Sequence, residues 1–359
     1  MDKKCAQKDK GFSLSALSNT RGYVMGIATL MIVFFHSYIN FEKLMPDAPG
    51  WALFFDRFRQ LCVCGVDIFL ILSGIGLYYS LSKNKSLKEF YKKRATRILP
   101  AVMLVSIYWF AQKGSTGIGP YLKNVTFISF YTDGVRYFWY FALIIFLYAI
   151  YPLIHKLIEH TGVYGALALI AVTVTGTLML KKFDYQQYLY IEIALTRIPV
   201  FIVGAWLGKL VKDGVRIPYF VIAIMAVTFI ITAFIGYYYL AKWNVNNTIN
   251  SGTVTLLKRI TGNIHGITLT FIFAALFRKC KKNALSTFLT WIGVYSMELY
   301  LVHEKLGILM YTKITTGDPS HILYYGIIFI LSIPIAMALK AYTDNLNKNL
   351  FYKNSKKEM

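Results

Sequence analysis

The sequence predicts an all-α fold: a polytopic membrane helix bundle of about ten transmembrane helices, with both termini cytoplasmic. Three observations carry this expectation. The 359-residue chain is 56% hydrophobic and only 16% charged, well below the roughly 25% charged residues of a soluble domain. Apolar runs of about 18–23 residues recur from end to end, each long enough to cross a hydrocarbon core of about 30 Å. The Lys and Arg residues gather in short connections, where the positive-inside rule puts them on the cytoplasmic side.

The expected spans cover roughly residues 23–41, 61–82, 97–112, 137–155, 163–180, 191–211, 218–240, 258–278, 286–310 and 321–342. Residues 1–22 read as a cytoplasmic N-terminal segment, 23–342 as one membrane-embedded domain and 343–359 as a basic cytoplasmic tail. No soluble domain is inserted, and no internal repeat is visible. With the N-terminus inside, the inner segments hold Lys3, Lys4, Lys8, Lys10 and Arg21, then KNKSLKEFYKKRATR (83–97), RKCKK (278–282) and the basic C-terminus. The opposite orientation would reverse the bias. The first apolar run is followed by many others, so it is not a cleavable signal peptide.

The net charge of +22 raises a nucleic-acid reading, but topogenic loops account for it, and no nucleic-acid partner is expected. Cys5, Cys62, Cys64 and Cys280 are too few and too scattered for a disulfide framework. Cys62 and Cys64 also lack the further ligands a zinc site needs, so no metal is expected.

Ionisable residues inside the spans carry the functional signal. His36 ends the apolar run ATLMIVFFH, with Glu42 six residues on. At 1.5 Å per residue His36 lies roughly 20 Å into the first span, in its outer half. Asp67 in GVDIFLILSG, and Glu298 and His303 in SMELYLVH, are expected at the same level. A charge at that depth costs several kcal/mol against lipid, so such groups face one another or a watery cavity. Taken singly, His36 reads as an interhelical hydrogen-bonder and Asp67 as a cap. Taken together, a histidine beside a carboxylate is a general base whose tautomer the carboxylate can fix.

The stretch 83–97 holds seven basic residues against one acidic. Part of this is topogenic. Arg94 and Arg97, three apart, share a helix face and can grip phosphate bidentately, with Lys93 beside them. A cytoplasmic phosphorylated donor fits that arrangement.

In chain order, VFFHS (33–37), GVDIFLILSG (65–74), FYKKRATRILP (90–100), WYFALIIFLYAIYPLI (139–154), RIPVFIVGAWLG (197–208) and SMELYLVH (296–303) resemble motifs of the integral-membrane acyltransferase 3 family. Its members move acyl groups onto surface carbohydrates and other acceptors. The resemblance covers nearly the whole chain. It implies an acyl-CoA cosubstrate, acetyl-CoA first among them, with no bound cofactor. It also implies a carbohydrate or lipid-linked glycan acceptor and a multi-pass location in the cell membrane, a bacterial plasma membrane. On this basis His36 is the base, or the nucleophile of an acyl-histidine, with Glu42 and Asp67 in support. Arg94, Arg97 and Lys93 take the CoA phosphates, and Ser296, Tyr300, His303, Glu298 and Arg21 surround the reacting groups. Two positions depart from the family. Met25 stands where many members have arginine, with Arg21 one helical turn earlier on about the same face, and the fourth span lacks the family's glutamate. The rival reading is a transporter or flippase, which the absence of inverted repeats and paired broken helices disfavours. A non-catalytic partner in a glycan assembly complex is a third.

Overall fold

A computed structural model of the chain describes residues 11–37, 39–112, 117–236, 251–311 and 321–355. Lys3, Lys4, Cys5, Lys8 and Lys10, and the last four residues of the basic tail, lie outside the described residues. The chain opens with strand β1 (Phe12–Ser13) and helix α1 (Ser15–Asn19), then runs through α2 (Arg21–Phe35), α3 (Phe41–Leu44), α4 (Pro49–Leu61), α5 (Gly65–Lys83), α6 (Leu87–Gln112), α7 (Ile118–Val125), α8 (Ile128–Asp133) and α9 (Trp139–Thr161). There follow α10 (Val163–Phe183), α11 (Tyr185–Leu195), α12 (Ile198–Lys212), β2 (Arg216–Ile217), α13 (Tyr219–Phe234), α14 (Ser251–Phe277), α15 (Ala284–Val294), α16 (Ser296–Tyr311) and α17 (His321–Ser355).

Among the described residues, six helices are long and apolar enough to cross a membrane: Pro49–Lys83, Trp139–Thr161, Val163–Phe183, Tyr185–Lys212, Gly252–Phe277 and Tyr325–Asn349. A seventh appears if α15 and the start of α16, bent by 69°, count as one. The remaining expected runs fall on the shorter apolar helices α2 and α13 and on the second half of α6.

Several boundaries differ from the sequence expectation for identifiable reasons. The first expected span reaches residue 41, but α2 stops at Phe35 and His36 is its C-terminal cap, its N–H bonded to the Ile32 carbonyl at 3.1 Å. Beyond His36 the chain turns polar, and the Asn40 side chain accepts from the Lys43 N–H at 3.1 Å to start α3. The basic stretch 83–97 is not a loop, because α6 begins at Leu87. Ser86 Oγ accepts from the Glu89 N–H at 3.3 Å, the hydrogen bond expected of Ser three residues before Glu at a helix start. The sixth span starts earlier than expected, within the 28-residue helix Tyr185–Lys212. A single turn at Thr196–Arg197 separates α11 from α12 in it, and Pro199, which has no N–H to donate, lies in the first turn of α12. The tail boundary at 342 has no counterpart in the fold. α17 continues past it, and Asn347 Nδ2 donates to the Thr96 carbonyl at 3.0 Å.

α5 lies at the centre, with Asp67, Ile68, Leu70, Ile71, Gly74 and Tyr78 all buried. Its principal neighbour is α12, and small residues let the two backbones approach. A Cβ at Gly204 would lie 2.5 Å from the Ile71 carbonyl oxygen, and one at Gly74 2.6 Å from the Ala205 nitrogen. α2 meets α15 the same way, through Gly26 against Leu289 and Gly293 against Gly22. Without a hydrophobic driving force between helices in lipid, such close approach supplies the packing energy. α10 and α13 instead turn Leu167, Val172, Phe220, Ile224 and Ile230 outward, as lipid-facing helices do.

The N-terminal segment is part of this bundle from residue 11 on. Phe12 pairs with Ile217 and Ser13 with Arg216 in an antiparallel β1–β2 ladder, and Phe12 and Leu17 are fully buried. Arg278 stacks over Phe12 and donates to the Tyr219 hydroxyl at 2.8 Å. The N-terminal segment and the connections after α12 and α14 are therefore neighbours.

Replacing Gly204 by Val forces the α5–α12 backbones apart. We expect it to lower the melting temperature of the detergent-purified protein by an amount matching about 1–3 kcal/mol. Gly176→Val, where a Cβ would meet nothing within 4 Å, leaves it unchanged. Equal melting temperatures for the two variants would show that the contact is not tight.

Candidate active site

A cavity of about 200 Å³ opens where α2, α5, α6, α9 and α16 converge. Each helix contributes one face at helical spacing. α2 supplies Arg21, Met25 and Ile32, α5 supplies Val66, Phe69 and Ser73, and α6 supplies Arg94, Arg97 and Ile98. From α9 come Tyr140, Phe141, Ile144 and Tyr148, and from α16 Ser296, Met297 and Tyr300. The 69° bend before α16 turns its first residues into the bundle.

Three arginines give one part of this cavity its character. The Arg21 guanidinium lies against Gly76 of α5, where any side chain would displace it, and faces Arg94, Tyr140 and Tyr148. Arg21 and Met25, one helical turn apart on α2, line the same cavity. Arg94 packs over Phe90 at 5.5 Å and Tyr148 at 5.8 Å, and its buried Nε has no hydrogen-bond partner among the described residues. Among the described residues neither Arg21 nor Arg94 forms an ion pair with a carboxylate. Arg97 differs: its guanidinium faces both oxygens of the fully buried Glu298 at 3.2 and 3.5 Å, and Asp344 of α17 at 4.0 Å. Lys93, expected beside them, is exposed and does not line the cavity. One residue of helix turns it about 100° away from Arg94.

His36 and His303 lie one helical turn beyond cavity-lining residues, His36 after Ile32 on α2 and His303 after Tyr300 on α16. Their rings meet, with His36 Nδ1 3.1 Å from His303 Nε2. The His303 Nδ1 is 2.6 Å from the Leu299 carbonyl oxygen. His303 is almost fully buried and its ring lies edge-on to Tyr300 at 6.0 Å. Glu42, expected as the acidic neighbour of His36, is exposed on α3 and forms no hydrogen bond or ion pair among the described residues. The break after α2 carries the chain away before Glu42 can fold back, and a second histidine occupies the partner position.

The four groups expected at one level separate into three pairs. His36 pairs with His303 and Glu298 with Arg97. Asp67 pairs with Arg197, Nε to Oδ1 3.1 Å, with side-chain exposures of 1% and 3%. Arg197 also stacks over Trp139 at 4.9 Å. Gly266 of α14 packs directly on Asp67. Next to this pair Arg259 grips Glu192 through two bonds of 3.0 and 3.1 Å, Arg136 approaches the same carboxylate at 3.4 Å, and Asn263 donates to the Thr196 carbonyl at 2.6 Å. Asp67 thus ties α5 to α12 beneath α14 and does not touch His36. Arg197, Glu192 and Arg259 were not among the expected site residues. Their signal was present: charged residues in LYIEIALTRIP and LLKRITG, segments otherwise apolar enough to be buried.

Removing one member of a buried ion pair strands the other, at a cost of about 3–5 kcal/mol. Arg197→Met should therefore lower thermal stability steeply, and Asp67→Leu added to it should recover part of the loss. A double variant no more stable than Arg197→Met alone would contradict the pairing.

The family model described as acyltransferase domain, acyltransferase 3, matches residues 23–341. Neither the curated proteins nor the solved structures compared with the chain gave a match. The match takes in both histidines and every cavity-lining residue except Arg21, which stands two residues before it. This multi-pass membrane chain belongs to the acyltransferase 3 family.

Proposed function

We propose that the protein moves an acyl group, acetyl by expectation, from acyl-CoA on its cytoplasmic face to a hydroxyl of an extracytoplasmic or lipid-linked carbohydrate. The observation that carries this reading is one cavity in which, among the described residues, Arg21 and Arg94 meet no carboxylate, together with a histidine pair a helical turn beyond its lining. Along α2, Arg21 and His36 are fifteen residues apart, about 22 Å of helix. An anionic head held near Arg21 and Arg94 would leave CoA's long pantetheine arm to carry the thioester through the cavity. Arg94 and Arg21 are better phosphate ligands in this reading than Arg97, whose charge Glu298 already meets, or Lys93, which faces outward.

His36 then removes the proton of the acceptor hydroxyl as its oxygen attacks the thioester carbon, and the CoA thiolate leaves. A positioned base of this kind contributes typically 10²–10⁴-fold. Residues 23–342, with Arg21 just before them, form the catalytic unit in this reading. The gathering of the N-terminal segment with the connections after α12 and α14 supports a shared basic face there, taken in this reading as cytoplasmic. Both termini inside, ten crossings and a bacterial plasma membrane remain part of the proposal. The acyl-CoA is a cosubstrate, and no resident cofactor takes part.

Thermal-shift titration of detergent-purified protein with acetyl-CoA, CoA and ATP tests the donor site. A ligand at 100 times its dissociation constant stabilises by about 2.7 kcal/mol. Both CoA species should stabilise, ATP little, and Arg94→Ala should lose the effect. In membranes His36→Ala should abolish acyl transfer while keeping the CoA-induced shift. No stabilisation of the folded protein by any CoA species would overturn this reading.

A further inference from the structure

The two histidines are usually interchangeable as donor and acceptor, but here the backbone decides between them. The Leu299 carbonyl oxygen, 2.6 Å from His303 Nδ1, can only accept a hydrogen bond. The proton of a neutral His303 is therefore on Nδ1, and its Nε2 carries the lone pair. That lone pair points at His36 Nδ1, 3.1 Å away, so His36 must donate from Nδ1. A neutral His36 with its proton on Nδ1 carries its own lone pair on Nε2.

We infer that His303 is a positioning residue that locks His36 in the Nδ1–H tautomer and so presents Nε2 as the proton acceptor, the part a carboxylate plays in a serine-hydrolase triad. The tautomer assignment stands on the geometry alone, and only its catalytic consequence rests on the function proposed above. In that reaction the acceptor's hydroxyl proton passes to His36 Nε2 as its oxygen bonds to the thioester carbon. The carbon–sulfur bond breaks, and the leaving thiolate takes that proton from Nε2 as the free thiol. Throughout, His36 Nδ1–H stays bonded to His303 Nε2, which holds the ring's angle and accepts part of the imidazolium charge. Burial of His303, its bond to its own helix and its ring contact with Tyr300 keep the acceptor atom in place.

The test is the ring ¹⁵N spectrum of histidine-labelled full-length protein in lipid nanodiscs, with His36→Gln used to assign the His36 signals. The same samples are assayed for acyl transfer. Wild type should show His36 protonated on Nδ1 and bare on Nε2. His303→Gln, which keeps an acceptor oxygen, should preserve that tautomer and hold turnover within about tenfold. His303→Met, similar in shape but without a comparable acceptor, should release His36 to a tautomer mixture. Its kcat should fall on the order of 100-fold with the KM for acyl-CoA unchanged. A proton on His36 Nε2 in the wild type, or an unchanged tautomer in folded His303→Met, overturns the inference. The expected tautomers in a protein that transfers no acyl group would uphold the pairing and count against the acyltransferase activity instead.

Discussion

Asp67 and Arg197 meet with almost no exposure where α5, α12 and α14 cross, and much of the bundle follows from the need to bury them together. A lone carboxylate or guanidinium at that depth is expensive, so each holds the other's helix in place. The glycines make the approach possible. Gly74 and Gly204 bring α5 and α12 into backbone contact, and Gly266 lets α14 close over the carboxylate. The break at Thr196–Arg197 serves the same end, since it puts Arg197 at the start of α12, level with the first turn of α5.

With α5 fixed, the cavity is what its neighbours leave open. α2 packs closely on α5 at Gly65 and Ala28, and beside Ser73 and Phe69 the cavity is lined by Arg21, Arg94 and Tyr148. The cavity's charge is uneven by construction. Glu298 neutralises Arg97, while Arg21 and Arg94 meet aromatic rings and glycine backbone. Ile32 and Tyr300 line the cavity one helical turn before the histidine pair.

The sequence made the broad architecture legible because lipid imposes a length and a composition on every crossing. The runs at 137–155, 163–180 and 258–278 became α9, α10 and α14 with only their ends shifted. Local chemistry moved the rest. Asn40 and Ser86 start helices that hydropathy cannot see, and Pro199 divides a run that reads as continuous. Most of the expected site residues converge on the cavity or its edge: Arg21, Arg94, Arg97, Ser296 and Tyr300 line it, and His36 with His303 lies one turn beyond. Glu42 and Lys93 do not converge, because chain proximity is no guide once a helix ends or turns its face. Asp67 stands out for its depth and Arg197 as a charge in an apolar run, but they are 130 residues apart, and no local pattern pairs them.

In the proposed reaction one cavity binds the acyl donor at its arginines and delivers the thioester to His36. The most direct measurement is a structure of the protein bound to an unreactive thioether analogue of acetyl-CoA. Phosphate density is expected against Arg94 and Arg21, with the pantetheine arm running toward the His36–His303 pair. Density for the analogue outside this cavity, or in it with the thioether turned away from His36, would contradict it.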